Sequence, residues 1–139
     1  MAREVFVDSS GLYALADRRD SAHARAAACV AKLIGSGAGL VLTDYILDEA
    51  CTLAKVRAGG EAALRLLEIV EKSRVFQMSW VGVQRFEASK AFFRRHADHG
   101  YSFTDCTSFV LMNEMRIRDA LTTDRHFAEA GFRTLLQPL

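Results

Sequence analysis

A single proline in 139 residues, with no internal repeat and no low-complexity tract, leaves nothing to serve as a linker, and the length fits one domain, 1–139, with one core. Cysteine is scarce as well. Cys29, Cys51 and Cys106 form no even set and no Cys-x-x-Cys, and each sits among apolar neighbours, so they read as small core residues in a reducing compartment. No apolar run approaches the roughly 20 residues of a membrane span. Arg3 and Glu4 are followed by only three apolar residues before Asp8, too few for a signal peptide; a soluble cytoplasmic protein with no membrane partner is expected. An excess of one charge is also missing: 18 basic and 17 acidic residues give a net +1, so no global field draws the chain to nucleic acid, and any polyanion contact is local. What is present is apolar material, 50% of residues against 25% charged, enough for a well-buried interior and without the signature of disorder.

That material is distributed as short apolar runs alternating with longer amphipathic ones. Val5-Phe6-Val7 predicts a buried strand that exits onto Asp8-Ser9-Ser10, and Gly11 to Ala16 a short helix. Asp20 or Ser21 is positioned to cap a second helix through about Ile34, with Ala27, Val30, Ala31 and Ile34 at helical spacing; His23 reads as a surface or capping residue. Leu40-Val41-Leu42 predicts a second strand. Thr43-Asp44 then open a helix to Ala58, with Ile46, Leu47, Ala50, Leu53 and Ala54 as its stripe and Glu49 among them. Glu61 to Glu71 predicts a helix buried through Leu64, Leu67 and Ile69-Val70. The strand Val75–Met78 and a helix from Val81 to His96, apolar at Val83, Phe86 and Phe93, follow. Thr104 is placed to cap the next helix with Asp105 in its first turn. Ala120-Leu121-Thr122 predicts a strand ending at Thr123-Asp124, Arg125 to Ala130 a short helix, and Phe132 to Leu136 a last strand.

This alternation predicts an α/β domain with a largely parallel central sheet sandwiched by helices, in which sites form beyond the carboxyl ends of the strands. Asp8 and Asp124 leave strands at that edge. Glu49 lies in the second turn of the helix after the second strand, and Asp105 opens the helix that feeds the fourth. Each also has a local explanation as a cap or a solvated acid. Converged, two unit charges about 4 Å apart repel by roughly 4 kcal/mol at an effective dielectric of 20, so a cation or protonation is required. Oxygen ligands without paired histidine or cysteine select Mg²⁺ or Mn²⁺. Such an ion polarises a phosphodiester and activates water for in-line attack. The hydroxyls of Ser9, Thr104 and Thr123 are placed to orient these carboxylates or to cap helices.

Asp8-Ser9-Ser10 after the Val-Phe-Val strand, Leu47-Asp48-Glu49, Ser102-Phe103-Thr104-Asp105, and Leu121-Thr122-Thr123-Asp124-Arg125-His126-Phe127 before Gly131-Phe132 together resemble a PIN domain. Within that family the chain is most similar to the VapC-type toxins of toxin–antitoxin systems, and Asp20-Ser21-Ala22-His23 falls where many of them carry an aspartate and a histidine. The resemblance covers essentially the whole chain. It implies a metal-dependent endoribonuclease with Asp8, Glu49, Asp105 and Asp124 as its acidic quartet, Asp8 and Asp105 being the most direct ligands. It also implies a homodimer held in check by a small antitoxin. The near-neutral charge departs from a strongly basic RNA binder and leaves RNA contact to local groups such as Lys55, Arg57, Arg94, Arg95 and Arg125.

Two other classes compete. A haloacid-dehalogenase-type phosphatase needs a second aspartate two positions after the first, where Ser10 stands. A receiver domain needs an acidic pair before Asp8 and a lysine near Asp124, and has neither. A non-catalytic PIN-like scaffold for RNA or protein is favoured by loss of a carboxylate, and none is missing.

Overall fold

The computed structural model describes residues 3–136. In chain order it comprises β1 (Glu4–Val7), α1 (Ser9–Ala16), α2 (His23–Gly35), β2 (Gly39–Thr43), α3 (Asp44–Ala58), α4 (Gly60–Lys72), β3 (Phe76–Ser79), α5 (Gly82–Arg95), α6 (Phe103–Met115), β4 (Asp119–Leu121), α7 (Arg125–Glu129) and β5 (Arg133–Thr134). The strands form one sheet in the order β3-β2-β1-β4-β5, every pair parallel. β1 and β2 are buried on both faces, as strands covered by helices must be, which is why Val5-Phe6-Val7 and Leu40-Val41-Leu42 are continuous apolar runs.

From β1 the chain moves to β2 and β3 on one side, and from β3 it returns to β4 and β5 on the other. Right-handed crossovers therefore put α1–α4 on one face and α5–α7 on the opposite face. The packing agrees: α3 lies on α4 and α1, and α5 and α7 lie on α6. Phe6 reaches Phe127 with ring centroids 6.2 Å apart, and Phe109 meets Phe127 edge-on at 4.9 Å, so the second layer is built on aromatic contacts. Connections leave β1 and β4 in opposite directions, which makes the crevice between their carboxyl ends the switch point of the sheet.

Several sequence expectations shift. The buried side of α2 is Ala26 and Leu33, while Ala27, Ala31 and Ile34 face solvent. An alanine-rich helix offers two apolar stripes, and the core takes the one carrying Leu33. In α4 the buried set is Ala62, Leu66 and Val70, with Leu64 exposed. In α5 only Ser89 is buried, and Val83, Phe86 and Phe93 are exposed, because this helix packs on α6 at the rim beside the edge strand β3. Ser102, not Thr104, caps α6, and α2 starts at His23 after a turn in which Asp20 Oδ2 accepts from Ala22 N at 3.1 Å. His23 is half-buried, its Nδ1 2.7 Å from the Ala14 carbonyl.

α1 lies tight against the sheet at Gly11, where an added Cβ would lie 2.1 Å from the carbonyl oxygen of Leu121. Gly11→Ala is expected to destabilise the protein by about 1–3 kcal/mol. Gly35→Ala, with open space around it, is expected to be neutral or mildly stabilising; urea unfolding of both variants checks the contrast.

Candidate functional site

β1 delivers Asp8 to the switch point, where Asp8 N donates to the Leu121 carbonyl at 3.2 Å. Asp8 stands at the N-cap position of α1, yet its side chain makes no capping bond. It turns instead to β4's exit: Thr122 Oγ1 donates to Asp8 Oδ2 at 2.9 Å and Ser10 Oγ at 3.0 Å. Those hydroxyls also accept, Thr122 from Asp124 N at 2.9 Å and Ser10 from Thr123 N at 3.0 Å. Ser10 therefore does not cap α1, nor does Ser9, whose hydroxyl donates to Glu49 Oε1. Asp8 as a whole residue is only 3% exposed. Burial pushes its pKa up to about 6, against the pull of the Thr122 hydroxyl, the Ser9 backbone N–H and the Ser10 hydroxyl, and the charge of Asp105 adds to the rise.

Glu49 lies on the second turn of α3, half-buried. Thr43 fixes the start of that helix by accepting from Ile46 N at 3.1 Å. A groove of about 390 Å³ between α3 and α6 is lined by Glu49, Thr52, Val56 and Thr104. Asp105 enters from the other layer. It forms a reciprocal capping box with Ser102, Ser102 N donating to Asp105 Oδ2 and Asp105 N to Ser102 Oγ, both at 3.0 Å. Its pKa is raised by burial, lowered by the Ser102 N–H and raised again by the charge of Asp124. Asp124 caps α7 by accepting from His126 N at 2.9 Å.

His126 is the residue that sequence reasoning missed as part of the site. Its Nδ1 lies 3.2 Å from Asp105 Oδ2 and 3.4 Å from Asp124 Oδ1. Ligand atoms of Asp105, Asp124 and His126 all fall within 4.8 Å of one another. The available signal was a histidine two residues after a strand-exit aspartate. Ser10 and Thr122, which hold Asp8, were also overlooked in favour of their neighbours Ser9 and Thr123.

The structure thus gathers Asp105 and Asp124 with His126, couples Asp8 to Asp105 through their charges, and joins Glu49 through Ser9. Among the described residues no lysine or arginine pairs with any of these four carboxylates. Buried negative charge with no lysine or arginine beside it is what a bound divalent ion relieves. Carboxylate oxygens fit a hard ion; the imidazole of His126 adds a nitrogen to what the sequence presents as an oxygen-only set.

Of the basic residues named from sequence, Arg125 directly follows Asp124 at this edge, whereas Lys55 and Arg57 lie at the far end of α3. Lys55 and Arg57 fall in the last turn of α3, and Arg94 and Arg95 in the last turn of α5. Arg57 stacks over the Tyr13 ring at 5.5 Å and Arg95 over Phe92 at 5.9 Å. Arg125 pairs with Glu129 at 3.8 Å.

Because the folded pKa of Asp8 lies above the ordinary 3.8, the native state binds the extra proton between those values. Metal-free stability therefore falls as pH rises from about 4 through 6, by roughly 3 kcal/mol at 1.36 kcal/mol per unit. Asp8→Asn is expected to flatten that slope and to melt above the wild type at pH 8 in chelator, and Mg²⁺ or Mn²⁺ to raise the wild-type melting temperature more than the variant's. Thermal melts across pH 4–8 check this.

The site lies within a stretch, residues 5–133, that matches the PIN domain family. Among characterised proteins the chain is 33% identical over 129 residues to a 23S rRNA-specific endonuclease, VapC20, of Mycobacterium tuberculosis, covering 92% of this chain and 95% of that protein. The crystal structure of M. tuberculosis VapC20, described as a sarcin-ricin loop cleaving toxin, superposes with a TM-score of 0.84 at 30% identity, covering 92% of this chain and 95% of the other. FitAcB from Neisseria gonorrhoeae shares the fold at a TM-score of 0.65 and 14% identity, over 94% and 95% of the two chains. The chain belongs to the PIN domain family and resembles its VapC-type toxins over nearly its whole length.

Proposed function

We propose that the protein is a Mg²⁺- or Mn²⁺-dependent endoribonuclease and the toxin of a type II toxin–antitoxin pair, acting in the cytoplasm. The observation that carries the reading is the grouping of Asp105 and Asp124 with His126 at the β1/β4 switch point, close enough to buried Asp8 for the charge of Asp105 to bear on it, with no lysine or arginine among the described residues paired to any of the three carboxylates. Asp8 and Asp105 are the direct ligands, and Glu49 and Asp124 complete the shell, partly through water. When bound, the ion polarises the scissile phosphate and lowers the pKa of the attacking water. The chain's own part is orientation. Thr122 and Ser10 hold Asp8, Ser9 aims Glu49, and His126 steadies Asp105 against Asp124. A non-catalytic scaffold has no need of this arrangement. Asp8→Asn or Asp105→Asn is expected to lower Mg²⁺-dependent cleavage of mixed RNA by about a thousandfold, the equivalent of several kcal/mol of barrier. Cleavage that persists in chelator or in both variants removes the metal mechanism; normal growth under induced expression removes the toxin role.

Homodimerisation is supported by an exposed apolar patch. Val83 is 80% exposed and Trp80 69%, with Phe86 and Phe93 at 36% and 41%. Both phenylalanines pack with tilted rings against Phe103, centroids 5.5 and 5.7 Å apart, and Phe103 opens α6 two residues before Asp105. A second copy covering this patch buries it and sets two acidic sites beside one interface. Light scattering is expected to give twice the 15.4 kDa chain mass for the wild type and a monomer for Val83→Asp; a monomeric wild type at micromolar concentration rejects this surface.

A further inference from the structure

The turn between α5 and α6 carries an aromatic stack that the metal site does not use. His99 lies flat on Tyr101, ring centroids 4.8 Å apart and planes 11° from parallel. Tyr101 is buried, edge-on to Phe109 at 5.1 Å and to His126 at 5.6 Å. His96 meets the His99 ring at a tilt of 55°, and the His99 side chain remains 44% exposed, on the side turned away from Tyr101. An exposed imidazole is thus mounted on a ring anchored in the core.

The same turn closes over the acidic site. Ser102 N donates to Asp105 Oδ2 at 3.0 Å, and an added Cβ at Gly100 would lie 3.2 Å from His126 Nε2. His99 precedes Ser102 by three Cα steps of about 3.8 Å, so it stands within about 11 Å of the residue that holds Asp105. Charge does not account for the turn. Asp98 lies beside the His99 ring, its Oδ1 3.9 Å from Nε2, and Arg125 is paired with Glu129. Arg95 lies over Phe92, and Arg94, also in the last turn of α5, makes no ion pair among the described residues. With acids and arginines side by side, the turn gives an anion little net attraction. Nor do His96 and His99 belong to a group of three metal-ligating side chains among the described residues. What the turn offers is the face of a fixed ring, and a nucleobase is the ligand held by such a face.

We propose that His99, held by Tyr101, is a stacking platform for an unpaired base of the RNA, within a few nucleotides of the scissile phosphate. The inference rests on the ribonuclease reading above. Every base has a π-face, so the platform fixes where an unpaired nucleotide lies and not which base it carries. The test is binding in chelator of two fluorescently labelled probes of equal length, oligouridylate and an abasic ribose–phosphate chain. The wild type is expected to bind oligouridylate about tenfold more tightly than the abasic chain. His99→Ala is expected to bring the two within about twofold by weakening oligouridylate alone, and His99→Phe, which keeps a ring, to retain the preference. Melting temperatures of the three proteins report on the turn itself. A wild type that binds both probes alike overturns the proposal, as does an equal loss on both in His99→Ala, or a His99→Phe that behaves as His99→Ala. Cleavage of mixed RNA in Mg²⁺ is read separately. A wild type that prefers bases yet cuts nothing removes the ribonuclease reading and keeps the platform, whereas cleavage by a wild type whose base preference survives His99→Ala removes only the platform.

Discussion

A carboxylate buried at the boundary of two strands, bonded to two hydroxyls and to no cation, is the constraint around which this molecule is arranged. Asp8 is tolerable there only because β4 ends beside β1 in the register that brings Thr122 to its Oδ2. That register in turn demands that α1 lie almost on the Leu121 carbonyl, which only a glycine at position 11 permits. Ser10 reaches Asp8 from the helix so placed. A loss of any of these contacts leaves a desolvated charge with fewer partners, which is costlier than never having built them.

The other acids are held by means suited to their surroundings. Asp105 is fixed by a capping box and Asp124 by a cap, so both arrive with backbone amides already directed at them. Glu49, in mid-helix, has no such help and takes a hydroxyl from Ser9 on the neighbouring helix α1. The N-terminal end of the thirteen-residue α6 adds its positive dipole beside Asp105. The electrostatic field is therefore shaped by the fold before any ion arrives, and the rise in the Asp8 pKa records what remains uncompensated.

The parallel sheet and the order of its elements were legible because buried strands and capped helices leave period and punctuation in the sequence: Val5-Phe6-Val7, Leu40-Val41-Leu42, Gly59-Gly60. Which stripe of an alanine-rich helix faces inward was not, since Ala26 and Ala27 are equivalent to any local pattern and only the neighbouring layer chooses. The exposed aromatics of α5 misled for the same reason: amphipathicity tells that a face will be covered, not that this chain is what covers it. At the site, strand-exit acids could be read from position, whereas Thr122 reaches Asp8 and Ser10 across more than a hundred residues and His126 reaches Asp105 across 21, and a local reading assigns hydroxyls to the nearest helix start.

The Ser102–Asp105 capping box has an evolutionary reading. One oxygen of Asp105 serves the start of α6 while the same carboxylate belongs to the acidic cluster, so the proposed metal site and helix initiation are joined in one side chain. Glu49 carries no structural duty of that kind. If the proposed site is the seat of cleavage, a descendant of this chain released from selection for it is free to shed Glu49 early and keeps Asp105 for the start of α6. An aspartate at position 105 is thus by itself a record of folding, and Glu49 the better record of activity.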